Sequence, residues 1–347
     1  MSREKDDAER IVALVIDAFR RRSPLVVQGA GSKAFLGAPA EGDLLSLADH
    51  VGVIDYRPDE LVVTARAGTP LVELERTLAE AGQMLPFEPP TFGGNGTLGG
   101  AVATGLSGPG RPWYGSVRDA VLGVEVVTGA GRRMRFGGQV MKNVAGYDLS
   151  RLMTGAFGTL GVLLSVSVRV RPRPDAEITR SLTLDRDAAL ASVLAWDRRA
   201  EPVTATRHVD GRLSVRLSGD DGAIRKAAAR LGGDGEAAAG FWRDVRDQRD
   251  GFFRGATVWR LALPCAARHP EIEGDWLTEW GGAQRWLATS AEAPRVEEAA
   301  RRAGGHAAVF RGAGATPRPA CEGAEKYRMR LKEAFDPAGI LNRARSL

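Results

Sequence analysis

Pro89-Pro90-Thr91-Phe92-Gly93-Gly94-Asn95-Gly96-Thr97-Leu98-Gly99-Gly100-Ala101-Val102-Ala103-Thr104-Gly105-Leu106-Ser107-Gly108 is the stretch on which the fold turns, and nine glycines fall between Gly93 and Gly115. Residues without a Cβ let backbone N–H groups meet a ligand directly and adopt positive φ. A diphosphate needs that kind of surface. Each charge-assisted backbone bond to one contributes about 1.5–3 kcal/mol, so a handful suffice for tight binding. A flexible linker would carry no buried anchors, whereas here Leu98, Val102 and Leu106 recur at four-residue spacing.

Upstream, Ile11, Leu14, Val15 and Ala18 form the apolar stripe of a surface helix over 6–22, stopped by Pro24. Leu25-Val26-Val27 reads as a strand running into Gln28-Gly29-Ala30-Gly31-Ser32-Lys33. With Ala34 this formally matches the G-x-G-x-x-G/A dinucleotide fingerprint, which requires a long helix directly after it. Gly37, Pro39 and Gly42 leave no room for that helix. The segment is instead a short loop whose N–H groups, with Ser32 and Lys33, suit a phosphate. Strands are expected at Val51 to Tyr56 and Leu61 to Ala67, then a helix capped by Thr69 with Pro70 at its first position.

Downstream, Ala120 to Thr128 and Val162 to Val170 are β-branched runs read as strands. Between them lie Lys142-Asn143-Val144-Ala145-Gly146-Tyr147-Asp148-Leu149 and Gly155-Ala156-Phe157-Gly158-Thr159-Leu160-Gly161-Val162, read as a helix and a turn with ligand-facing backbone. Arg171-Pro172-Arg173-Pro174 marks a domain boundary. Six of the seven tryptophans lie beyond it, between Trp196 and Trp286. Helical periodicity returns at Val296 to Arg302 and Cys321 to Phe335.

The 43 glycines among 347 residues are about 12% of the chain, against about 7% in an average protein. A net charge of +5 is spread among interleaved acids and bases, the pattern of a solvated surface and not of a nucleic-acid footprint. Cys265 and Cys321 lie far apart in no CxxC spacing, so no disulfide framework, iron–sulfur site or zinc site is read. The charged N-terminus resembles neither a signal peptide nor a membrane span.

These three motifs, in this order, resemble the FAD-binding domain shared by vanillyl-alcohol oxidase, p-cresol methylhydroxylase and the bacterial glycolate and D-lactate dehydrogenases. The resemblance covers Pro24 to Pro174 and again Leu331 to Asn342. Within that family the motifs are most similar to the FAD-binding subunits of glycolate oxidases, and Gly304-Gly305-His306-Ala307 and Phe335 to Asn342 agree with that. The resemblance implies an α+β fold: a two-lobed p-cresol-methylhydroxylase-type FAD domain over 1–173, a smaller α/β cap over 174–314, and a segment, 315–347, packing back on the FAD domain.

It also implies roles. Gly29, Ala30, Gly31, Ser32 and Lys33 would bind the FAD pyrophosphate, Leu98, Gly99, Gly100 and Thr104 the pyrophosphate and ribityl chain, and Gly158, Gly161 and Val162 the adenine half. Asn342 would approach the isoalloxazine, and further cofactor contacts are expected at Gln28, Thr97, Gly105, Gly108 and Tyr114. Ala30 stands where the family usually has glycine, and Asn342-Arg343-Ala344-Arg345 replaces the common Asn-Pro-Gly-Lys/Arg ending. The implied partners are a catalytic flavoprotein subunit, an iron–sulfur subunit and a small 2-hydroxy acid, in the cytoplasm, with any membrane association peripheral and through the partners.

Flavin oxidation of a 2-hydroxy acid needs a base for the hydroxyl proton and a cation for the carboxylate. Related catalytic subunits supply metal-binding histidines, but His50, His208, His269 and His306 have no ligand spacing and are read as surface or core residues. No histidine lies in Gln28 to Phe35, where relatives attach flavin covalently, so the FAD is expected to be non-covalent. Two other readings stay open: a self-sufficient flavin oxidoreductase acting on a sugar or lactone, and a structural subunit with a vestigial flavin site.

Overall fold

The structure is a computed structural model describing residues 4–138, 148–234, 238, 240–254, 257–312, 323–343 and 345. Lys142 to Tyr147 of the third motif, and Cys321, lie outside these residues. The chain divides into two units. The first holds Met1–Ser107, Gly115–Pro172 and Pro317–Leu347; the second holds Gly108–Tyr114 and Arg173–Thr316. Gly108–Tyr114, grouped by sequence with the FAD domain, thus clusters with the second unit.

In chain order come helix α1 (Ala8–Arg21), strands β1 (Leu25–Gln28), β2 (Asp43–Ser46), β3 (Val53–Arg57) and β4 (Val62–Arg66), helix α2 (Leu71–Glu80), β5 (Gln83–Met84) and α3 (Leu98–Thr104). Then follow α4 (Arg111–Tyr114), α5 (Val117–Ala120), β6 (Val121–Val127), β7 (Arg133–Gly137), α6 (Leu149–Leu152), β8 (Val162–Arg169) and β9 (Arg171–Pro172). Beyond them lie β10 (Ala176–Thr183), α7 (Arg186–Arg198), β11 (Val203–Val209), β12 (Arg212–Gly219), α8 (Asp221–Leu231), α9 (Phe241–Arg246) and β13 (Val258–Ala262). The order closes with β14 (Asp275–Glu279), β15 (Gln284–Ala288), α10 (Ala293–Arg302), β16 (His306–Arg311) and α11 (Ala324–Phe335).

The first unit is built on an antiparallel sheet ordered β3-β4-β8-β6-β7. The β-branched run of β8 occupies its middle, paired with β4 through Val63↔Val168 and with β6 through Val124↔Val166. Leu71, Leu74 and Leu78 of α2 share one core with this sheet, as do Leu98, Ala101 and Val102 of α3. A second core joins α1 to β1, β2, Ile340 and Leu341. It is served by the parallel pair β1-β2. Thr69 does not cap α2: its hydroxyl exchanges hydrogen bonds with the backbone of Gly52 at 3.0 and 3.2 Å, and Pro70 takes the cap position. The linker expected after β8 is partly ordered, because Arg171–Pro172 pairs with β5.

The second unit is an antiparallel seven-stranded sheet, β10-β12-β11-β14-β15-β13-β16. Helices α7 and α8 share a core with β11 and β12, and α10 shares one with β13 and β15. The six tryptophans of this region are all buried. Among the described residues no helix is long and apolar enough to cross a membrane.

Candidate functional site

One cavity in the first unit gathers residues from three separated segments: Val26 to Ala34, Thr97 with residues along α3 to Thr104, and Phe157, Gly158, Gly161 and Leu163. Of the residues singled out in the sequence, Gln28, Gly29, Ala30, Gly31, Ser32, Lys33, Thr97, Gly99, Gly100, Thr104, Gly158 and Gly161 line it. The second motif enters as a short helix, not as an irregular loop. Thr97 caps it by accepting the Gly100 N–H at 3.2 Å. Gly99 is a packing requirement, since a Cβ there would stand 2.7 Å from the Ala67 Cβ and 2.9 Å from its carbonyl oxygen.

Gly100 differs. Among the described residues, its chain neighbours and helix backbone aside, a Cβ built there meets the Thr97 Oγ1 alone, at 3.1 Å. Its bare Cα therefore opens onto free space in the cavity wall.

The N–H groups of this helix are already used: Leu98 donates to the Thr69 carbonyl at 3.0 Å and Gly99 to that of Ala67 at 2.8 Å. The backbone donors expected from Leu98 to Gly100 are thus spent on the fold. In the first loop, by contrast, the N–H groups of Gly29, Ala30, Gly31 and Ser32 have no protein acceptor among the described residues. Gly31 supplies the positive φ that the loop requires, +73°. Ala30 is not among the positive-φ residues, so its methyl replaces the usual glycine without backbone strain. Gly29 must stay bare because a Cβ would come 2.4 Å from the Thr97 Oγ1. The Lys33 ammonium sits over the Phe92 ring, 5.7 Å from its centroid.

On the third side, Phe157 and Gly158 hold successive left-handed conformations, φ +51° and +70°. For phenylalanine this is uncommon and needs outside support. The Phe157 N–H donates to the Ala103 carbonyl at 2.8 Å, and the Phe157 carbonyl accepts the Asn342 Nδ2 at 2.6 Å. Asn342 is buried, and its Oδ1 accepts the Val27 N–H at 2.8 Å. Its amide is consumed by backbone, and Asn342 does not line the cavity. Asn342 is a strut joining β1 to Phe157.

Five other expected residues also lie off the cavity. Leu98 is in the core, Val162 is in the second core, and Gly105 ends α3 at φ +65°. Gly108 and Tyr114 belong to the second unit, where the Gly108 carbonyl accepts the Trp280 N–H at 3.0 Å and the Arg216 guanidinium stands 5.6 Å from the Tyr114 ring.

Sequence reasoning missed Arg345. It lines the cavity, its buried Nε has no partner among the described residues, and burial pulls its guanidinium below the ordinary arginine range. A half-buried cation in that condition calls for an anion. The Lys/Arg that closes the common Asn-Pro-Gly-Lys/Arg ending, kept here as Arg345, was the available signal. Four unspent N–H groups, two bare glycines and one half-buried arginine fit the diphosphate of a dinucleotide cofactor.

The histidines serve the fold. His50 accepts the Asp7 N–H at 3.0 Å, and the His208 Nε2 bonds the Leu184 carbonyl at 2.9 Å. His269 packs edge-on against Trp276 and is pushed down to about 3 by burial, then by Arg285, Arg186 and His208. Burial also lowers His306. Among the described residues no three His, Cys, Asp or Glu side chains are grouped to hold a metal.

The FAD binding domain family matches residues 4–137. Glycolate oxidase subunit GlcE of Escherichia coli K12 is 45% identical over 346 residues, 99% of each chain. The chain belongs to the GlcE family. It is thereby an FAD-dependent oxidoreductase-family protein, with FAD as its cofactor. Glycolate oxidase subunit GlcD of Bacillus subtilis is 32% identical over 206 residues, 59% of this chain and 43% of that one. D-lactate dehydrogenase of Archaeoglobus fulgidus is 30% identical over 168 residues, 48% of this chain and 38% of that one. The chain spans well under half of each. Among solved structures, an alkyldihydroxyacetonephosphate synthase superposes with a TM-score of 0.69 at 16% identity, covering 98% of this chain and 76% of that one. That likeness is one of fold.

Proposed function

We propose that this chain is the FAD-binding subunit of a multi-subunit glycolate dehydrogenase in the cytoplasm, working beside a catalytic flavoprotein subunit and an iron–sulfur subunit. The observation carrying this reading is the match to GlcE, which runs through 99% of both chains. The matches to GlcD and D-lactate dehydrogenase cover only about half of this one.

Bound FAD supplies hydride acceptance from carbon 2 of a hydroxy acid and onward electron transfer. The chain's own residues bind and orient. The N–H groups of Gly29 to Ser32, with Arg345, hold the diphosphate, and Gly99 and Gly100 present a surface with no side chain in the way. Gly158 and Gly161 border the adenine half, and Asn342 fixes Val27 and Phe157 on either side. The first unit is the FAD domain and the second the cap. Two cysteines far apart in sequence are too few to ligate an iron–sulfur cluster, so onward electron transfer belongs to a partner.

The test is co-expression with the two partner subunits. The complex should reduce an artificial acceptor when given glycolate, the isolated chain should do so poorly or not at all, and omission of this chain should abolish activity. Turnover by the isolated chain comparable to that of the complex would overturn the subunit role. The FAD is non-covalent, because no histidine lies in the first loop. Acid precipitation should therefore leave all yellow colour in the supernatant.

A further inference from the structure

In the second unit two guanidinium groups share one tryptophan. Arg111 on α4 stands 4.6 Å from the centroid of the Trp280 ring and Arg260 on β13 stands 5.2 Å from it. The ring is fixed, because Trp280 is buried and its N–H is held by the Gly108 carbonyl. Arg260 is fixed as well: its Nε donates to the Gln284 Oε1 at 2.8 Å, and the Trp286 ring lies 5.9 Å away. Gln284 and Trp286 are in turn tied to the Glu279 Oε2 at 2.9 and 2.6 Å.

Among the described residues, neither Arg111 nor Arg260 has a carboxylate within ion-pair distance, whereas neighbouring Arg207 is paired with Asp250. Glu279 acts on Arg260 through space, but among the described residues it is not within ion-pair distance of either arginine, and its Oε2 accepts hydrogen bonds from Gln284 and Trp286. The Arg260 guanidinium is drawn down to about 10 by desolvation and then by Arg111. Two mutually repelling cations held against one indole ring gain from a shared anion. Guanidinium forks match a planar carboxylate bidentately, and the indole gives a small carbon skeleton an apolar floor.

We propose that Arg111 and Arg260, over Trp280, form a binding site for the carboxylate of a small organic acid. Resting on the function proposed above, we identify that acid as the 2-hydroxy acid.

The experiment is calorimetric titration of the full, flavin-loaded chain with glycolate, acetate and inorganic phosphate. Glycolate should bind saturably, and phosphate at least about ten-fold more weakly. Arg111 is exposed, so Arg111→Ala should keep its flavin and far-UV circular dichroism while binding glycolate about ten- to a hundred-fold more weakly. Arg260→Lys, which keeps the charge and loses the fork, should fall between. Arg225→Ala, removing an exposed cation paired with Asp221 on α8, should bind as the parent does. Absence of saturable carboxylate binding by the flavin-loaded parent would overturn the site, as would parent-like binding by Arg111→Ala or phosphate binding as tight as that of glycolate. Failure of the parent reading is read separately. A complex that oxidises glycolate with unchanged KM in Arg111→Ala sinks this site alone, whereas a complex inert toward glycolate sinks the function while leaving carboxylate binding measurable.

Discussion

Gly100 lines the cavity wall with its Cα bare, and on the function proposed above a side chain there would occupy the cofactor's space. Its backbone is helical, so the cost of a side chain is volume inside the cavity and not strain at positive φ. Gly100→Val should give soluble protein of unchanged circular dichroism with flavin affinity down by roughly two to four orders of magnitude. Gly251→Ala, in the second unit with open space around it, should stay yellow. Stoichiometric FAD in the Gly100 variant would show that α3 does not border the cofactor. Asn342 makes the opposite case, a residue whose importance is visible in the sequence and whose role is not. Its amide joins Val27 to Phe157, 315 and 185 positions away, and no local pattern encodes such a span. Asn342→Ala strands the Val27 N–H and places alanine at φ +43°, a loss of about 2–5 kcal/mol. Asn342→Gly should recover the backbone part of it. Equal melting temperatures for Asn342→Ala and the parent protein would refute the strut.

At the scale of elements, strands were legible wherever β-branched runs met turn residues, as in β6 and β8. Helix α3 was not, because six of the twelve residues before it are glycine or proline and its own glycines suppress helix propensity; tertiary burial of Leu98 and Val102 overrides that. A lysine also ties down the C-terminal return. The Lys332 ammonium donates to the carbonyls of Thr159 and Leu341 at 2.8 Å each and to the Asp336 carboxylate at 2.6 Å. Asp336 in turn accepts the N–H groups of Ile340 and Leu341. Lys332→Met should cost about 3–5 kcal/mol and loosen flavin, and denaturant midpoints with and without added FAD would measure both. The loop before β14 carries a pH dependence. His269 is lowered from 6.5 to about 3, first by burial, so the unfolded chain takes up a proton that the folded chain refuses. Stability is then full above pH 6.5 and falls as the pH drops from there toward 3. His269→Gln should flatten that slope, and an unchanged slope would remove His269 as its source.

For the whole molecule, the motifs in order identified the family, because glycine placement near a diphosphate is dictated locally and survives as a sequence pattern. What the sequence did not disclose were properties of distant pairing. The assignment of 108–114 to the second unit depends on contacts such as Trp280 with Gly108, and the Arg111–Arg260 pair brings together residues nearly 150 positions apart. The central claim is that the first unit holds one non-covalent FAD between the Gly29 to Ser32 loop, α3 and the Phe157–Gly158 turn. The most direct measurement is the visible absorbance spectrum of the purified chain, taken before and after acid precipitation. The account predicts a flavin spectrum with close to one FAD per chain, all of it released into the supernatant. Protein that purifies colourless and takes up no added FAD, or flavin that stays with the pellet, would contradict it.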